Sequence, residues 1–257
     1  MLTKNHALAF LMALAVLSLG ACSADRVPAE AAAKNELGEF WDGEIQQWGA
    51  MREVLAKGKT EGRVRLRDFA GSKGVYAIGA LAGLNGEVTI LDGEVWVSRV
   101  RESRADCRLL EANDTQATLL VMARVSRWTE HPITEDVSAE NMEAFIKGVA
   151  EEAGLDVSRP FPFLVEGPFA KLDAHIANGM CPMRADPNSD QAPIRFHLDA
   201  VRGTLVGLHA LGQEGVLTHH GSKTHVHVVI GGDQPQMGHV ESIELMAGSV
   251  LKLPAQD

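Results

Sequence analysis

Apolar and polar positions alternate through much of the second half of this chain. Between residues 194 and 253, short runs of Val, Ile, Leu and Thr recur with period two, the spacing of a half-buried strand. Residues 224–230, THVHVVI, are β-branched except for two imidazoles, which suits a pleated strand. Gly231, Gly232, Asp233 and Pro235 then predict a loop, and residues 239–245 a returning strand. Upstream, Pro160, Pro162 and Pro168 bracket an extended segment, residues 169–176 predict a strand and residues 178–191 a loop.

The first half mixes periods. Phe40, Trp41, Ile45, Trp48, Met51 and Leu55 recur near helical spacing and precede Gly58, so a helix from Leu37 to a glycine C-cap is expected. Residues 63–68 alternate and predict a short exposed strand. Within residues 73–100, Asn85-Gly86 and Asp92-Gly93 are tight-turn dipeptides that cut the run into a small meander, with Glu87 and Glu94 just past the turns. Both carboxylates read most simply as strand-edge charges in water. Charge-rich residues 99–108 predict a loop and residues 116–125 another strand. In residues 138–154, Ser138 can cap a helix whose stripe is Met142, Phe145, Ile146, Val149, Ala150 and Ala153, with Gly154 as the stop. The expected class is α+β and β-rich: two mixed or antiparallel sheet subdomains with a few flanking helices. Residues 37–158 form the N-terminal half with the meander and residues 159–257 the C-terminal half, the boundary falling near residues 155–163.

Residues 1–21 change the setting. Lys4 followed by an apolar run over residues 7–19, too short to span a bilayer, has the form of an export signal. Leu19-Gly20-Ala21-Cys22 resembles the lipobox of bacterial lipoproteins, which implies lipidation at Cys22, a tether over residues 22–36, and a periplasmic protein held at a membrane. Ser23 after the cysteine favours the outer membrane; an ordinary secretory peptide or short hydrophobic anchor is the alternative. The formal charge is −10, or −11 once Lys4 is removed, and no basic cluster exists, which excludes nucleic acid as a partner on electrostatic grounds. An anionic substrate would need local capture by a metal or a placed cation. Cys107 and Cys181 either pair in an oxidising compartment or stand as separate thiols; no base neighbours them in sequence, and neither is assigned catalysis.

Candidate chemistry concentrates in the imidazoles, eight of the ten lying between His175 and His239. On a strand His225 and His227 share a face, whereas on a helix they would stand about 200° apart. With His239 returning across the loop, three neutral imidazoles suit Zn²⁺ or another first-row divalent ion and leave coordination positions open. A half-exposed strand that happens to carry His is the plainer alternative.

Two separated stretches resemble the α-acetolactate decarboxylase family, bacterial zinc enzymes of the acetoin and butanediol pathway. Residues 84–93, LNGEVTILDG, resemble that family's L-D-G-E…L-D-G segment. Residues 203–207, GTLVG, followed by H-V-H at 225–227 and G-H-V at 238–240, resemble its G-T-x-V-G, H-L-H and G-H-V in the same order. The match runs from about Trp48 to Leu245. The resemblance implies the family fold, zinc held by His225, His227 and His239, and Glu87 as the active-site glutamate. It also implies decarboxylation of a small α-hydroxy-β-keto acid through a metal-stabilised enediolate, with Glu87 carrying the proton and no organic cofactor.

Departures from the family pattern are specific. Leu172-Asp173-Ala174-His175 stands where the family has a V-K-T-R-like run, so His175 takes the place of an active-site Arg and is the second candidate catalytic residue. Ala80 replaces a hydroxyl residue, and neither Glu241 nor Glu244 matches the family's later glutamate. These changes keep open a non-catalytic lipoprotein on the same fold, binding metal or an oxygenated small molecule. A cupin-type barrel is disfavoured because Gly231 and Gly232 occupy the positions of its glutamate. His219 and His220 are expected in a solvated loop, with the entrance of the site as the alternative, His197 and His209 on exposed strand positions, and a homodimer is left open.

Overall fold

In this computed structural model the described residues are 41–110 and 114–256. The signal, the lipobox with Cys22, the tether, and Leu37 and Phe40 of the expected first helix lie outside them.

Two antiparallel sheets follow one another along the chain. The first contains β1 (Gln46–Trp48), β2 (Val64–Arg65), β3 (Val75–Leu81), β4 (Glu87–Leu91), β5 (Glu94–Arg101), β6 (Arg104–Leu109) and β7 (Gln116–Arg124). Its order is β1-β7-β3-β4-β5-β6, with β2 also on β7. The expected meander is β3-β4-β5. Asp92 (φ 51°) and Gly93 (φ 81°) both sit left-handed, the geometry a two-residue hairpin needs, and Leu91 pairs with Glu94 across it. A Cβ on Gly93 would come within 2.5 Å of the Ser72 carbonyl oxygen, so the turn also demands glycine for space.

Two expectations for this half are corrected. Residues 99–108 are no loop: β5 runs on through Arg101 and turns at Glu102 and Ser103, both at positive φ, and β6 returns with Arg101 opposite Arg104. That turn uses neither Gly nor Asn, so it carried no dipeptide signal. The expected helix up to Gly58 is also broken. Residues 46–48 are β1, paired with β7, and only Arg52–Ala56 winds into a helical turn. Trp48 is spent on an edge contact with Phe69 (centroids 5.5 Å apart), and tertiary packing overrides the helical spacing. Gly58 does adopt the positive φ expected of a helix terminator. Of residues 63–68, only Val64 and Arg65 are strand, and Leu66 is buried in the turn that follows.

The second sheet contains β8 (Trp128–Pro132), β9 (Phe161–Ile176), β10 (Ile194–His209), β11 (Thr224–Ile230), β12 (Gln236–Leu245) and β13 (Val250–Pro254). The path β10-β11-β12-β9-β13-β8 is joined by a second pairing of β10 with β9, so β9, β10, β11 and β12 close into a ring without a free edge. Between β8 and β9 lies α1 (Met142–Glu152), entered through a tight turn at Ala139–Asn141. Met142, Ile146 and Ala150 pack into a core that includes Phe161, Phe163, Phe169 and Val228. Ser138 does not cap a backbone N–H as expected; its hydroxyl accepts from the Asn141 side chain at 3.0 Å. The chain changes sheet between Arg124 and Trp128, upstream of the expected boundary at 155–163, and all described residues fall in one unit.

The sheets meet through Ile78, Val121, Leu164, Val206 and Leu208. That contact brings β4 of the first sheet against β11 and β12 of the second.

Candidate metal centre

The centre is built on a cross-strand row. On β11, His225 and His227 share a face; on β12, His239 is the direct partner of His227; on β9, His175 is the direct partner of His239; on β10, Arg195 is the direct partner of His175. The rings of His225, His227 and His239 have centroids 5.1, 5.4 and 5.1 Å apart in pairs 225–227, 227–239 and 225–239. One nitrogen from each lies within 4.8 Å of the others. The three candidate ligands therefore converge. Gly238 permits the close approach of β12 to β9, since a Cβ there would lie 2.6 Å from the His175 carbonyl oxygen.

The first sheet orients this cluster. Thr89 Oγ1, on β4, lies 3.0 Å from His227 Nδ1, and the same ring hydrogen-bonds the Val88 backbone. His225 is likewise hydrogen-bonded to the Leu217 backbone. In each ring the other nitrogen, Nε2 of His227 and Nδ1 of His225, is buried with no protein partner. An orphaned buried acceptor costs about 1–3 kcal/mol. Such atoms, held in place by hydrogen bonds on the far side of each ring, have the construction of metal ligands. Burial, reinforced by the neighbouring imidazoles, holds His225 and His239 well below the usual imidazole range and His227 at about 3. All three are neutral at pH 7, as ligation requires. The donor set fits Zn²⁺ or a similar divalent ion.

Glu87 reaches this cluster from the start of β4, contrary to its reading as a solvated strand-edge charge. It is 4% exposed, with Oε2 3.9 Å from His227 Nε2 and Oε1 4.0 Å from His175 Nε2. The Ala177 N–H donates to Oε1 at 3.0 Å. Burial raises its pKa, and the influence of His175 and of this N–H only partly opposes the rise. Ala80 is its direct partner on β3, so no hydroxyl stands there. Glu94 remains exposed, as expected.

His175 is buried, 7% exposed, with its ring 4.9 Å from His239 and Nδ1 2.9 Å from Glu241 Oε1. Sequence reading passed over Glu241 because it matches no family position. His219, expected in a solvated loop with the site entrance as the alternative, is at the cluster: its ring lies 4.8 Å from His239 and 6.0 Å from His225, and burial lowers its pKa to about 4. The hint was its place two residues after Leu217, whose backbone holds His225. His220 stays exposed. His197 is exposed as expected, with Nδ1 2.7 Å from Asp173. His209 is not: it is fully buried, its ring 5.0 Å from that of Phe161. Cys107 and Cys181 are separate thiols, the former pushed to about 12 by burial. A cleft of about 620 Å³ adjoins the cluster at His239 and is lined also by His175, His219, Glu241, Met51 and Met142.

A sequence model described as alpha-acetolactate decarboxylase matches residues 46–255. The chain belongs to the α-acetolactate decarboxylase family. Family members of known structure share its fold. The α-acetolactate decarboxylase of Bacillus subtilis strain 168 superposes with a TM-score of 0.65 at 22% identity, over 82% of this chain and 86% of that one. A Staphylococcus aureus protein of unknown function, similar to α-acetolactate decarboxylase, gives 0.60 at 16% identity over the same shares. Among curated proteins none matches the chain by sequence. In this chain LNGE leads into β4, and GTLVG, HVH and GHV lie on β10, β11 and β12.

Proposed function

We propose that the protein is a zinc-dependent carbon–carbon lyase that decarboxylates an α-hydroxy-β-keto acid, acetolactate or a close analogue. The observation that carries this reading is the convergence of a buried carboxyl group with two buried imidazoles and a half-buried third, His239, which also lines the cleft. His225, His227 and His239 would hold the ion. A divalent cation there supplies a Lewis acid for the substrate's oxygens and a sink for the charge left as CO₂ departs.

The chain's own groups supply the rest. The first-sheet strand β4 and the ring of β9 to β12 exclude water from the inner end of the cleft. Glu87, whose pKa burial raises, would hand a proton to the carbon that loses CO₂ and recover one afterwards. His175, between Glu87 and Glu241, presents an imidazole where a guanidinium would have bound carboxylate in two places. Substrate grip therefore relies on single hydrogen bonds and on the ion.

Metal analysis of the purified protein, paired with CO₂ release from acetolactate by wild type and His227→Ala, tests the proposal. Turnover that needs both the ion and His227 supports it. Stoichiometric zinc with no turnover of any α-hydroxy-β-keto acid rejects the lyase and leaves a binding protein. We propose further that Cys22 is lipidated, as its lipobox-like context suggests; loss of the membrane-bound fraction on Cys22→Ala is the expected result, and an unchanged distribution opposes it.

A further inference from the structure

Glu241 stands at an irregularity of β12. Val240 pairs with Ala174 and Ser242 with Asp173, so two steps on β12 oppose one on β9 and Glu241 is the extra residue of a β-bulge. A bulge frees a side chain from strict alternation and re-aims it. Here it turns the carboxylate onto His175, with Oε1 2.9 Å from Nδ1. The same oxygen accepts from Arg195 Nε at 3.2 Å. Arg195 is itself the direct β10 partner of His175, and its Nη2 donates to the Pro182 carbonyl at 3.3 Å. The guanidinium is thus tied at two points and holds the carboxylate in place.

The hydrogen-bond polarity follows from the inventory of donors. A carboxylate beside a permanently charged guanidinium has no proton to give, so the contact with His175 has Nδ1–H donating. In a neutral ring the other nitrogen, Nε2, then carries a lone pair. That nitrogen faces Glu87, with Oε1 4.0 Å away, on the wall of the cleft.

We propose that Glu241 is a positioning residue: delivered by the bulge and braced by Arg195, it locks His175 in the Nδ1–H tautomer, so that Nε2 meets the contents of the cleft as a hydrogen-bond acceptor. An acceptor at this point takes a hydroxyl or a protonated carboxyl group. It does not take a carboxylate, which offers no donor. If the site works as a lyase, His175 grips the substrate's α-hydroxyl, and the substrate's carboxylate lies elsewhere. This last consequence rests on the lyase reading; the tautomer does not.

Long-range ¹H–¹⁵N correlation spectra of ¹⁵N-labelled, zinc-loaded full-length protein read the tautomer directly. In wild type, His175 Nδ1 is expected in the pyrrole-like range and Nε2 in the pyridine-like range. Glu241→Leu removes the acceptor and should convert His175 to the Nε2–H form or a mixture of the two. Glu241→Gln, which keeps an acceptor oxygen, should retain the Nδ1–H form. His227, held by β4, serves as the ring whose signals do not move. A pyridine-like Nδ1 in wild type overturns the proposal without any variant, and so does an unchanged His175 in folded Glu241→Leu. On the kinetic side, Glu241→Leu should lower kcat about 10- to 100-fold, with partial recovery in Glu241→Gln. If wild type releases no CO₂ from any substrate, the lyase reading fails while the spectra still decide the tautomer.

Discussion

Oε2 of Glu87 lies 3.9 Å from Nε2 of His227, although one residue begins a strand of the first sheet and the other sits mid-strand in the second. The nitrogen has no protein hydrogen-bond partner, and the carboxyl group is buried beside it. Glu87→Gln keeps the shape and the contact with the Ala177 N–H side by offering an amide oxygen, but removes the exchangeable acid. Decarboxylation by this variant should fall about 10²- to 10⁴-fold while bound zinc stays at the wild-type stoichiometry. Measuring both on one preparation separates loss of a proton carrier from loss of the metal; an active Glu87→Gln would remove the glutamate from the chemistry.

Metal removal should be visible in stability before it is visible in rate. An ion bound only by the folded state, present at a thousand times its dissociation constant, contributes about 4 kcal/mol. Chelation should therefore lower the melting temperature of wild type by several degrees, reversed by added Zn²⁺. His227→Ala should melt at the same temperature with and without chelator. Equal chelator sensitivity in the two proteins would place the ion elsewhere.

Glu143 near the start of α1 fastens the beginning of β11. One oxygen accepts hydrogen bonds from Ser222 Oγ (2.7 Å), the Lys223 N–H (2.8 Å), the Thr224 N–H (3.0 Å) and Thr224 Oγ1 (2.9 Å). Burial alone would raise its pKa, but these donors outweigh burial and the pKa is lowered. With the folded value below the unfolded one, its contribution is fully present above the ordinary glutamate range and is lost as pH falls through the folded value. Glu143→Gln should cost about 1–2 kcal/mol near neutral pH, at the low end because the group is partly solvated. Urea unfolding at a series of pH values should show the difference from wild type shrinking toward acid; a pH-independent difference would contradict this account.

His209 presents the opposite case. Both ring nitrogens are buried with no partner, and burial lowers its pKa. Because the folded ring resists protonation more than the unfolded one, stability falls as pH drops below the ordinary imidazole value of about 6.5. His209→Leu, opposite Phe161, removes two unsatisfied polar atoms and should stabilise the protein by about 1–3 kcal/mol, with a smaller loss between neutral and mildly acid pH. The other buried imidazoles keep some of that loss in the variant. A destabilised His209→Leu would mean the ring has a partner, such as a bound water, that the protein requires.

Much of the local geometry could be read from residue order. Alternation in THVHVVI fixed His225 and His227 on one face, Asp92-Gly93 fixed a hairpin, and the stripe from Met142 to Ala153 fixed a helix. Where signals were absent or shared, reading failed. The Glu102-Ser103 turn has no glycine, and the apolar spacing over residues 41–55 serves both a strand and a helical turn. Strand periodicity could not tell the exposed His197 from the buried His209, since burial depends on what another element lays over the strand.

The sequence by itself determined which side chains leave a strand together, because the two-residue repeat is a property of the backbone. Only the tertiary structure decided which strands meet: that His239 faces His227, that Glu87 arrives from the other sheet, that His219 joins from a loop, and that a bulge turns Glu241 onto His175. Those choices follow from burying two apolar faces against each other and closing a ring of four strands, and no short stretch of chain contains that information.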